Sequence, residues 1–252
     1  MCYDDNARPP LPPGTAGEAH GEDIILEAAD GNRFAAYVAR PGTPGGAQII
    51  IFPDVRGLHQ FYKELALRFA EVGITALVLD YFGRTAGIGS RDDSFDFMPH
   101  VQQIQLETLF ADVASARAYL LTGEGATRAT FTVGFCMGGM LSFVSGTQDF
   151  GWAGVMGFYA GMSRNFSGRG TLLEQADRIK YPVLGLFGGA DQAIPTENVH
   201  RFEEQLVKAG VENEIVIYPG APHSFFDRRA MDYAAASADA WQRVLAFIAA
   251  HT

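Results

Sequence analysis

The sequence predicts a single α/β domain: an open, mostly parallel, doubly wound sheet flanked by helices. Three observations predict it. Short apolar runs recur at 48–52, 75–79, 130–135, 153–158, 182–187 and 214–218, and runs of that length suit parallel strands buried on both faces. The segments between them carry apolar residues at helical spacing, as in Leu65, Phe69 and Val72, or Leu106, Leu109, Phe110, Val113 and Leu120. No internal repeat or second core interrupts the series, and 252 residues of ordinary globular composition are enough to bury one large core.

Taken in order, residues 1–21 hold four prolines and little apolar content. They predict an extended N-terminal arm outside a folded domain at 22–252, open to packing on the body, covering a pocket, aiding assembly or staying disordered. Two β candidates at 23–28 and 33–39 flank the turn signal Asp30-Gly31-Asn32 and predict a starting hairpin. The stretch "DYFGRTAGIGSRDDSFDFMPH" at 80–100 reads as one long connection, of a length usually functional or mobile. A last helix at 230–250 turns Trp241, Val244, Leu245 and Ile248 to one side.

The net charge of -10 opposes nucleic acid binding, which needs a clustered basic excess. No apolar run approaches the roughly 18 residues of a membrane span, and the N-terminus lacks the pattern of a signal peptide, so a cytoplasmic protein is expected. Two cysteines, Cys2 and Cys136, are too few for a disulfide framework. A bridge between them is disfavoured, since Cys2 lies in the polar arm and Cys136 ends an apolar strand. Six histidines show no metal-ligand spacing, and no metal is expected. The expected partner is a small molecule, for a monomer or small homo-oligomer.

The stretch "FTVGFCMGGMLSF" at 131–143 places a cysteine where period-two apolar spacing gives way to helical spacing. Gly134-Phe135-Cys136-Met137-Gly138 has the form of a nucleophile elbow with cysteine in place of serine. So sharp a turn leaves little room for a Cβ at 134 or 138. Cys136 would sit at the first turn of a helix, where unpaired N–H groups favour a thiolate. "LGLFGGADQAIP" puts Asp191 just past one strand, and "IVIYPGAPHSF" puts His223 past the next. Nucleophile, acid and histidine thus come in the order of an α/β-hydrolase. Cys136 would attack an acyl carbon, His223 would move its proton and later activate water, and Asp191 would fix the imidazole. The backbone N–H groups of Met137 and of Val55, in "IFPDVRGLH", are the candidate oxyanion donors.

With "GFCMGG", "GGADQAIP" and "GAPHSF" in order, the chain resembles the dienelactone hydrolase family from about residue 22 to the last helix. That resemblance implies an α/β-hydrolase with a Cys-His-Asp triad and no cofactor. For the best-known family activity it implies a five-membered enol lactone bearing a carboxylate, hydrolysed to maleylacetate. It further implies that Arg84 in "DYFGR" meets the carboxylate, and that Asp54 takes the place of a glutamate that contacts the resting thiol. The second family arginine falls at Asp227, with Arg228 next to it as a substitute, and Tyr159 matches a tyrosine near the pocket. Arg56 is left with two roles, neutralising Asp54 or reaching the substrate. A short-chain carboxylesterase or thioesterase is the alternative activity, and a ligand-binding or thiol-sensing protein is the alternative outside catalysis.

Overall fold

The computed structural model describes residues 6–14 and 16–252. Cys2, and with it any bridge to Cys136, lies outside the described residues. Eight strands form one sheet: β1 (Ala19–Glu27), β2 (Arg33–Pro41), β3 (Ala47–Phe52), β4 (Thr75–Leu79), β5 (Ala129–Phe135), β6 (Gly154–Phe158), β7 (Val183–Gly188) and β8 (Asn213–Tyr218). Their order is β1-β2-β4-β3-β5-β6-β7-β8. The first two pairings are antiparallel and the rest are parallel. The helices are α1 (Gln60–Glu71), α2 (Gly83–Ala86), α3 (Met98–Val101), α4 (Leu106–Leu120), α5 (Met137–Ser145), α6 (Leu172–Gln175), α7 (Thr196–Lys208) and α8 (Ala234–Ala250).

Helices cover both faces, as two adjacent residues of β5 show. The Phe131 ring lies 6.3 Å from Phe247 of α8, while Thr132 Oγ1 lies 2.8 Å from Ser142 Oγ of α5. Neighbours on a strand point to opposite faces, so α8 and α5 do as well. Helix α1 joins α8 through Phe69 and Trp241, and α7 joins α5 through Phe202 and Phe143. The sheet is therefore sealed on both sides, which is why β3, β4, β6 and β7 are buried along their whole length.

Two segments differ from the sequence expectation, the start of β1 and the 80–100 connection. Strand β1 begins at Ala19, inside the expected arm, with Ala19 opposite Pro41 and His20 opposite Arg40. Its first residues turn polar side chains to solvent and are held by backbone pairing and by Arg40 on Glu22, so they leave no apolar signal. Upstream, residues 6–14 lie on the body: Trp241 Nε1 donates to the Pro10 carbonyl at 2.9 Å, and Arg8 pairs with Glu64 at 3.3 Å. The 80–100 connection contains α2 and α3 and is pinned from within. Buried Arg91 pairs with buried Asp80 at 2.8 Å, and the Phe95 ring stacks on His100 at 5.2 Å.

Candidate active site

Cys136 lies between the end of β5 and the start of α5 with φ 56° and ψ -114°, a left-handed conformation that costs a non-glycine residue energy. The neighbouring glycines make this bend possible. A Cβ at Gly134 would run into the carbonyl of Gly138, and one at Gly138 would run into the carbonyls of Phe52 and Pro53. The elbow is therefore wedged against the end of β3, and Cys136 is fixed in turn by its N–H on the Phe158 carbonyl at 3.0 Å. Two other strained non-glycine residues lie close by: Tyr159 (φ 37°), just past β6, and Ser224 (φ 59°), next to His223.

Asp191 and His223 follow β7 and β8, the strands that continue the sheet beyond β6. His223 Nδ1 meets Asp191 Oδ2 at 2.6 Å. The other carboxylate oxygen accepts from the N–H groups of Ala193 at 2.8 Å and Ile194 at 3.2 Å. The acid is thus held from both sides, and it favours the imidazole tautomer with hydrogen on Nδ1. Nε2 is buried and has no hydrogen-bond partner among the described residues. The Tyr159 ring lies 4.9 Å from the imidazole and forms a wall beside it.

The loop after β3 carries Val55. The buried hydroxyl of Tyr81 donates to the carbonyls of Pro53 and Asp54 and so pins that loop from below. Met137 is the first residue of α5, where a helix leaves its N–H groups without internal acceptors.

Asp54, Arg56 and Asp227 form a buried clamp. Arg56 Nε reaches both Asp54 oxygens at 3.1 Å, and Nη2 reaches Asp54 Oδ2 at 2.8 Å and Asp227 Oδ2 at 2.5 Å. All three residues are at most 4% exposed. Burial alone would lower the guanidinium's proton affinity, but Asp54, aided by Tyr62 and Asp227, reverses this and raises it well above the ordinary value. Burial also pushes the Asp227 carboxyl up to about 7, with Arg56 pulling down and the Asp54 charge pushing up. Asp54, expected at the thiol, carries the Arg56 guanidinium and also accepts from the Arg56 backbone N–H at 2.9 Å.

A model of the Dienelactone hydrolase family matches residues 34–252. The chain belongs to the dienelactone hydrolase family. It is a dienelactone hydrolase-like hydrolase. It is 29% identical over 223 residues to a "Putative carboxymethylenebutenolidase" of Methylorubrum extorquens, covering 83% of this chain and 74% of the relative. A protein of the same name in Escherichia coli (strain K12) is 26% identical over 226 residues, covering 86% of this chain and 82% of the relative. The crystal structure of a "Putative Dienelactone Hydrolase" from Klebsiella pneumoniae superposes with TM-score 0.80 at 23% identity, covering 92% of this chain and 99% of that one. A dienelactone hydrolase-like promiscuous phosphotriesterase from metagenomic libraries does so with TM-score 0.70 at 20% identity, covering 94% and 99%. These two structures share the fold. No helix among the described residues is long and apolar enough to cross a membrane.

The residues that the resemblance assigned to a substrate carboxylate make contacts within the protein. Arg84 stands on α2 with its guanidinium committed to Asp112 at 2.8 Å and Asp30 at 2.7 Å, and to the Thr108 carbonyl at 3.0 Å. It joins the β1–β2 turn to α4. Asp227 is turned inward onto Arg56, while Arg228 is exposed. Sequence reasoning missed the burial of Asp227, although its flank Phe225-Phe226 hinted at an inward-facing turn. It also missed Tyr81, and it missed Arg164, whose Nη1 lies 4.0 Å from Met137 Sδ; no local pattern marks that contact.

Proposed function

We propose that this dienelactone hydrolase-like enzyme opens a small carboxylated lactone or ester through a thioester on Cys136. The Cys136 thiol loses its proton to His223 Nε2, and the thiolate attacks the acyl carbon. The carbonyl oxygen takes up negative charge facing the N–H groups of Met137 and Val55. The C–O bond to the leaving oxygen breaks and that oxygen receives the proton from His223. Water then gives a proton to His223 and attacks the thioester carbon; the C–S bond breaks, and the thiol recovers the proton. The sum is one ester bond and one water consumed, one acid and one hydroxyl formed. Asp191 stabilises the imidazolium in both halves, Tyr159 walls the imidazole, and Asp54 serves through the clamp on Arg56.

The observation that carries this proposal is the Asp191–His223 contact at 2.6 Å, which leaves a buried Nε2 as the acceptor on the far side of the ring. The test is hydrolysis of cis- and trans-dienelactone beside p-nitrophenyl acetate by wild type and Cys136→Ala. The variant is expected to lose about 10⁴-fold or more in kcat, as when a member of such a unit is removed. In the wild type, quenched turnover should trap an acyl group on Cys136. A variant that keeps its rate removes the cysteine from the mechanism. A second reading, an esterase or thioesterase indifferent to substrate charge, is favoured by the Arg84 contacts and by Asp227 at the second arginine position. It is upheld if p-nitrophenyl acetate outruns both dienelactones.

A further inference from the structure

We infer that Arg164 receives the carboxylate of the substrate, an assignment that rests on the hydrolase proposal above and supplies the anion site that Arg84 and Asp227 do not. The loop after β6 is strapped to the elbow. Cys136 N–H donates to the Phe158 carbonyl at 3.0 Å, and Gly161 N–H donates to the Cys136 carbonyl at 3.4 Å. Three residues further on, Arg164 Nη1 lies 4.0 Å from Sδ of Met137, the residue that follows the nucleophile. Its guanidinium carbon lies 5.4 Å from the centre of the Phe166 ring. A thioether and an aromatic face thus hold this exposed arginine in place without neutralising it.

Other arginines around this end of the sheet are already compensated: Arg56 by Asp54 and Asp227, Arg84 by Asp30 and Asp112, Arg91 by Asp80. Arg164 makes no ion pair among the described residues, and neither does Arg228, but of the two it is Arg164 that lies against Met137. The planar fork of Arg164 can therefore take both oxygens of a carboxylate carried on an acyl group seated at Cys136. The cation sits on the β6 side of the elbow, where the family resemblance places none of its expected arginines.

The test compares an anionic and a neutral ester of similar length, mono-p-nitrophenyl succinate and p-nitrophenyl butyrate. Arg164→Ala is expected to lower kcat/KM for the succinate about 10- to 100-fold, mainly through KM, and to leave the butyrate within about twofold, as loss of a charged hydrogen-bonded contact predicts. Arg164→Lys should restore part of the difference, and Arg228→Ala and Arg84→Ala should leave the ratio unchanged. An equal fall on both esters, no fall on either, or a selective loss in Arg228→Ala overturns the assignment. The same factor should appear in the Kd of the succinate ester for Cys136→Ala with and without Arg164→Ala, measured by calorimetry; equal affinities overturn the assignment. Failure of the hydrolase proposal is seen separately, as retained turnover by Cys136→Ala alone.

Discussion

Two assemblies of carboxylate and nitrogen stand at the same end of the sheet, Asp191 with His223 and Asp54 with Arg56 and Asp227, and they are completed in opposite ways. In the first, the acid is saturated by one ring nitrogen and two backbone amides, and the other ring nitrogen is left open. In the second, one guanidinium is spread over two buried carboxylates. Histidine can surrender its proton near neutral pH and arginine cannot. The open assembly is suited to carrying a proton, and the closed one to holding the loop after β3 against the loop after β8.

Removing the histidine's orienting partner gives the largest expected effect. Asp191→Asn should lower kcat by about 10³- to 10⁴-fold by allowing the wrong tautomer, while thermal stability changes little. A loss of stability with the rate intact would place this pair with the structural clamp instead. Arg56→Leu should do the reverse. It strands two carboxylates in the interior and should cost about 3–5 kcal/mol in stability, read as a lower urea midpoint. If it folds as firmly as wild type, the clamp is not what holds the two loops together.

The smallest expected effect is the pH dependence of the clamp. Burial raises the Asp227 pKa in the folded chain to about 7, above its unfolded value. Between those two values the folded chain keeps a proton that the unfolded chain releases, so stability is greatest below the unfolded pKa and falls as pH rises through about 7. Asp227→Asn should remove this slope and gain on wild type by on the order of 2–4 kcal/mol between pH ~4 and ~8. Parallel unfolding curves for the two proteins across that range would show that Arg56 neutralises Asp227 completely.

Much of the scaffold is legible because its cause is local. The short apolar runs became strands, within a residue or two, since burial on both faces demands an unbroken apolar run. Gly134 and Gly138 are legible because close backbone contact leaves no alternative side chain. The first residues of β1 are not, because backbone pairing alone holds them. Ion-pair partners are not legible either: Arg56 meets Asp227 across 171 residues, and Arg84 meets Asp30 across 54. Such choices are made by the assembled fold, among several carboxylates that the sequence leaves equally available. Arg84 in "DYFGR" is accordingly engaged by Asp30 and Asp112.

The hydrogen bond from Trp241 to the Pro10 carbonyl spans 231 residues of chain. It ties the segment upstream of β1 to α8, the last helix in chain order. A contact of that sequence separation cannot form until α8 has docked, since loop closure is paid for only when both ends have a surface to meet. Solvent exchange of the Trp241 indole N–H therefore reports, at one side chain, how firmly residues 6–14 are held on α8.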